Sequence, residues 1–187
     1  TYSSESVATL QGVLAGVTAD IDTPAEIEAY LTGIGFPPGV LLTEQADIVT
    51  GHVFIAPKGF TPGGTDQVNT LNDDDILTGT SATDDKLIFN FVRDADTGDT
   101  NLVPTMTGIE IADVEFSLDG TGTLDLQDST GFTTVNLHRI DDGATAIIDN
   151  ITEATTNNLS INRSSAPDAD VMFTYLNSAL TGTTDAV

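Results

Sequence analysis

The chain has no cysteine and no tryptophan. Without thiols it forms neither disulfides nor thiolate metal sites. Cations are scarce too: 5 Lys and Arg stand against 29 Asp and Glu, a formal net charge of -24 over 187 residues. So few cations cannot neutralise a phosphate backbone, which argues against nucleic acid as a partner. They offer anionic lipid no attraction either. No run of about 18 apolar residues occurs, so no transmembrane segment is expected. Hydrophobic residues nevertheless make up 39% of the chain, too many for a disordered acidic tail and enough for a core. The length suits one domain or two small ones. The chain opens at Thr1, with no cationic, apolar leader, and reads as a processed or truncated piece of something longer.

What the chain does have is carboxylate, gathered in knots from Phe60 to Leu102. Asp66, Asp73, Asp74, Asp75, Asp84, Asp85, Asp94, Asp96 and Asp99 fall there among glycines and threonines, with only Lys86 and Arg93 as cations. Charges so close repel, and a compact state needs counterions to offset them. Ca²⁺, a hard cation that takes oxygen ligands in flexible geometry, is the cofactor this pattern suggests.

Three regions differ in texture. Residues 1–56 read as a small helical head. Val7, Leu10, Val13 and Leu14 make one apolar stripe, and Ile27, Tyr30, Leu31 and Ile34 a second behind a Thr23-Pro24-Ala25-Glu26 start. A third helix is expected from Thr43 to about His52. Residues 57–105 are the acidic Gly/Thr-rich segment, with strand-like pieces at Ile76-Leu77 and Leu87 to Val92. Residues 106–187, continuous with that segment, carry short strands at Val114-Glu115-Phe116, Leu124-Asp125-Leu126, Val135-Asn136-Leu137, Ile147-Ile148-Asp149, Leu159-Ser160-Ile161 and Val171-Met172-Phe173. Alternate members (Val114, Val135, Leu159) recur at the interval of about 20–25 residues that a parallel β-helix with two main strands per turn requires. An antiparallel sandwich also spaces short strands at 8–12 residues and is the competing fold. The expected class is mainly β: a short parallel β-helix with Ca²⁺-binding Gly/Asp turns behind the helical head.

Three turns carry the chemistry: Gly63-Gly64-Thr65-Asp66, Gly79 through Leu87, and Asp94 through Leu102. Glycine permits the backbone to turn its carbonyls inward, and the aspartate adds a charged oxygen. The phrase Asp75-Ile76-Leu77-Thr78-Gly79-Thr80-Ser81-Ala82-Thr83-Asp84-Asp85-Lys86-Leu87 resembles the signature of secreted repeats-in-toxin (RTX) proteins. It is most similar to the version in RTX-type bacterial surface-layer proteins, where an acidic segment precedes a phrase like Met106-Thr107-Gly108-Ile109-Glu110 and then short apolar rungs. Ala82 and Lys86 depart from that signature, which prefers Gly and Thr there. The resemblance covers about residues 60–187. It implies type I secretion, Ca²⁺-driven folding outside the cell, assembly on the bacterial surface, and a metal-ligand role for Asp66, Asp84, Asp85 and Asp99. Asp73, Asp75, Asp94 and Asp96 join as candidate ligands on physical grounds alone. The bland alternative for all of them is a solvated turn acid.

The remaining candidates favour structure over catalysis. His52 and His138 lack zinc-like spacing, Ser129 and Ser160 lack a nucleophile elbow, and Phe89, Phe91 and Phe116 read as core. The expected function is therefore non-enzymatic: an extracellular, calcium-dependent structural protein that self-assembles into a surface-layer-like lattice or filament. The alternatives are an RTX-type adhesin that binds glycan, with cell-surface polysaccharide as partner, and an acid-pair glycan hydrolase. The last needs two carboxylates converging in a groove.

Overall fold

A computed structural model describes residues 39–61, 64, 66–93, 100–152, 158–161 and 168–180. All of them belong to one unit, Gly39–Val187. The helices expected around 7–14 and 23–35 lie outside the described residues, as do Asp94, Asp96 and Asp99.

The chain coils as a parallel β-solenoid of about four turns. Strands β1 (Gly39–Leu41) and β2 (Ile48–Thr50) come first. Next are β3 (Val53–Ala56), a hairpin of β4 (Gly59–Phe60) and β5 (Gln67–Val68), and β6 (Ile76–Thr78). Then β7 (Lys86–Phe91), β8 (Asn101–Leu102) and β9 (Thr105–Thr107) make a regular three-strand rung, as do β10 (Ile111–Phe116), β11 (Gly120–Asp125) and β12 (Ser129–Thr130). The last strands are β13 (Thr134–Ile140), β14 (Ala144–Ile151), β15 (Asn158–Ile161) and β16 (Asp170–Tyr175), followed by a 3-10 turn, Asn177–Leu180.

Equivalent strands stack into three parallel sheets. The long face runs β1-β3-β7-β10-β13-β15, a second β8-β11-β14-β16, and a third β2-β6-β9-β12. Among the described residues only the β4–β5 hairpin is antiparallel. It occupies the place in its rung that β8, β11 and β14 hold in later ones. Asn69, at its base, is buried and pairs like a strand with Val92: its amide nitrogen donates to the Val92 carbonyl at 2.8 Å, and its oxygen accepts the Val92 N–H at 2.8 Å.

Alternation along the strands builds the core. β7 buries Leu87, Phe89 and Phe91, β10 buries Ala112, Val114 and Phe116, and β13 buries Val135, Leu137 and Ile140. Side chains of successive residues point to opposite faces of a strand, so every second one enters the interior. Parallel register then stacks like on like. Phe91 pairs with Phe116, and their rings lie 5.0 Å apart and nearly parallel.

Two expectations need correction. No helix forms at Thr43–His52. Asp47 folds back so that its carboxylate accepts the Thr43 N–H at 2.7 Å, and its own N–H donates to Asp75 at 2.8 Å. The β-branched Ile48-Val49-Thr50 then pairs with β6, as such residues prefer. Residues 39–56 are thus the first strands of the solenoid rather than part of a helical head. The register also differs: Val114 pairs with Leu137, Val135 with Ala112, and Leu124 with Ile148. The interval itself is as read, with bonded partners 23, 24 and 25 positions apart in successive rungs.

Candidate functional site: stacked corners and an uncharged face

Each strand of the third face ends in Thr-Gly or leads straight into it: Thr50-Gly51, Thr78-Gly79, Thr107-Gly108 and Thr130-Gly131. Each threonine pairs with its counterpart in the next rung. Each glycine N–H reaches the following rung's threonine carbonyl: Gly51 to Thr78 at 3.0 Å, Gly79 to Thr107 at 2.8 Å, Gly108 to Thr130 at 3.1 Å. A Cβ on Gly79 would sit 1.7 Å from the Gly108 carbonyl oxygen. Glycine is there because the rungs approach too closely for any other residue.

Past this corner a polar column closes the solenoid. Asp85 is fully buried. Its carboxylate accepts from the Thr80 N–H, from the Thr80 hydroxyl at 2.9 Å, and from His52 Nδ1 at 2.5 Å. Its N–H donates to Glu110 Oε2 at 2.9 Å, and its carbonyl accepts from Glu110 and Ile111 at 3.0 Å each. Burial alone would raise the Asp85 pKa, but the His52 and Thr80 bonds outweigh it and hold the carboxyl below its ordinary value.

Asp75 guards the entry corner. It is also fully buried, and its two oxygens accept the N–H groups of Asp47 at 2.8 Å and Asn72 at 3.0 Å. Here burial wins, and the pKa rises from 3.8 to about 6. A raised carboxyl binds its proton more tightly when folded. Its contribution to stability is therefore full below about pH 4 and lost as pH rises through about 6. Between pH 4.5 and 7 this group should remove about 2 kcal/mol of stability. Urea titrations across that range should show the decline in the wild type and a flatter profile in Asp75→Asn.

The other predicted ligands are dispersed. Asp73 is exposed and accepts the Val103 N–H at 2.7 Å. Asp84 is exposed, 3.8 Å from His52 Nε2. Asp66 is exposed on the hairpin. Among the described residues no three Asp, Glu or His side chains gather as a ligand set for one ion. Asp75 and Asp85 have both oxygens bonded to protein donors. Asp73, Asp75 and Asp85 each tie one rung to the next, through Val103, Asp47 and His52.

The sequence reading passed over the outer surface of this sheet. The outward residues within its strands are Ile48, Thr50, Ile76, Thr78, Thr105, Thr107 and Thr130, none of them charged. Ile48 is 74% exposed and Ile76 43%. Carboxylates stand at the margin, at Asp47 before β2, Asp73 and Asp74 before β6 and Asp128 before β12. The recurring Thr-Gly dipeptide was the available signal. Its spacing is uneven, 28 and 29 positions from Thr50 to Thr78 and Thr107 and then 23 to Thr130, which hides the repeat. Geometry thus defines a class: a parallel β-solenoid with stacked Thr-Gly corners and one uncharged face. Comparison with protein-family models, with curated proteins and with solved structures yields no match.

Proposed function

We propose that this is a secreted structural subunit that assembles with copies of itself, in the presence of Ca²⁺, into a surface-layer-like lattice or filament. The uncharged threonine-isoleucine face carries this reading. Two chains of charge -24 repel at contact distance, and a face without carboxylates in its strands is where they meet at least cost. Flat sheets pack face to face at about 10 Å, close enough to bury Ile48 and Ile76. Ca²⁺ enters as a counterion to the exposed marginal acids Asp73, Asp74 and Asp128, lowering the repulsion that remains.

Sedimentation velocity tests it. Added Ca²⁺ should shift the wild type to larger species, and excess chelator should reverse the shift. Ile76→Asp/Thr78→Asp, which places carboxylates on the face, should stay monomeric with unchanged circular dichroism. A wild type that sediments as a monomer at every Ca²⁺ concentration would sink the proposal.

A further inference from the structure

The long face holds a concave site that assembly does not use. A groove of about 400 Å³ opens there, walled on one side by Ile55, Pro57 and Ile88 and on the other by Asn90, Asp113, Glu115 and His138. A β-bulge shapes it. The β10–β13 register shifts after Val114, so Glu115 opposes Arg139 and His138 is the extra residue. Bulges re-aim side chains in this way.

The hydrogen bonds in the groove are lopsided. Asp113 takes three donors: Asn136 Nδ2 at 2.8 Å, Lys86 Nζ at 3.1 Å and His138 Nε2 at 3.2 Å. Asn90 Nδ2 donates to Glu115 Oε2 at 3.1 Å. That bond fixes the Asn90 amide, because the flipped group would set oxygen against carboxylate. Asn90 Oδ1 is then left shielded from solvent without a partner among the described residues. Buried polar atoms are normally satisfied, and an orphan calls for an explanation. The Glu115 carboxylate, which takes this one bond from Asn90, has acceptor capacity to spare beside it. Two acceptor oxygens, Asn90 Oδ1 and the second oxygen of Glu115, thus stand together without a donor from the described residues. Asp113, tied by three donors, is not a free partner for Glu115 in an acid pair.

We propose that this groove binds a primary alkylammonium group, the chemistry of a lysine side chain or a free aliphatic amine. The ammonium brings three donors and no acceptor, matching Glu115 and, after a small shift of its side chain, Asn90 Oδ1. The methylene shank lies on Ile55, Pro57 and Ile88, as such stems do on apolar surface. This site goes beyond the assembly reading and does not depend on it.

The test is a titration followed by two-dimensional NMR. Butylammonium should give saturable shifts confined to the groove. Tetramethylammonium, equal in charge but without N–H groups, should bind about tenfold more weakly or worse. Glu115→Gln, which keeps an oxygen for Asn90, should weaken butylammonium by about tenfold. Ile88→Ala, at a position 42% exposed, should weaken it several-fold while leaving the fold intact. Nα-acetyl-lysine amide binding as well as butylammonium marks a protein lysine as the ligand, and butylammonium alone marks a free amine. Three results would overturn the site: no saturable shift, equal response to tetramethylammonium, or a neutral monosaccharide binding as tightly.

Discussion

Gly79→Ala should destabilise the solenoid by at least about 3 kcal/mol, roughly 10 °C in Tm for a chain of this size. The added Cβ would lie 1.7 Å from the Gly108 carbonyl oxygen and 2.7 Å from Asp85 Oδ2. Neither neighbour yields easily. The first is backbone of the next rung, held by the corner bonds, and the second belongs to a buried carboxylate fixed by Thr80 and His52. Relief requires the rungs to part, which breaks the Gly79 bond to Thr107 as well. Gly108→Ala is the control. Gly108 has φ +66 but nothing within 4 Å of its Cβ position, so only the left-handed backbone strain of about 1–2 kcal/mol applies. Thermal melts of the two variants should separate clearly. Equal losses would show that the close approach of the rungs does not hold the corner.

The second large effect lies in the aromatic stack. Phe91 is fully buried, 5.5 Å from the Phe89 ring and 5.0 Å from that of Phe116. It also fills the space left by Gly122, whose Cβ would come within 2.9 Å of the ring. Phe91→Ala should cost about 3–5 kcal/mol, since the rungs on either side hold the cavity open. Phe91→Leu, which refills much of the volume, should cost far less. Urea denaturation with an unchanged m-value would place the loss in the folded state. Because each rung touches only its neighbours, the damage should centre on the strands around β7 and β10.

The rungs were legible because inward apolar residues recur at a nearly constant interval, and Leu124, Val135 and Leu137 sit inside as read. The exact register was not. Ile147 and Ile148 are both apolar, and only the packed structure shows that Ile148 is the buried one. Of the third face only Ile76-Leu77 was legible, because its strands are two or three residues long and send a single side chain inward, Leu77, Met106 or Ser129. So short a strand has no period to detect. Thr43 with Asp47 misled for a different reason: an oxygen side chain ahead of an acid suits a helix cap and a tight turn alike. The aspartates carry the same ambiguity. Asp75 and Asp85 follow turn residues just as a cation ligand would, and only their burial separates a rung tie from a metal ligand. The groove was beyond reach from sequence, since it depends on one bulge that moves His138 out of step.

The β4–β5 hairpin has a mechanical consequence. Neighbouring rungs are joined head to tail and held by backbone bonds across their stacked edges. A solenoid pulled by its two ends therefore yields one rung at a time instead of all at once. Each regular rung, with partners 23 to 25 positions apart, releases about 80 Å of chain. The rung containing the hairpin carries extra slack and is anchored at its base by the Asn69–Val92 pair. That pair is a latch: the slack stays folded away until the latch opens, and the chain lengthens in steps of two sizes.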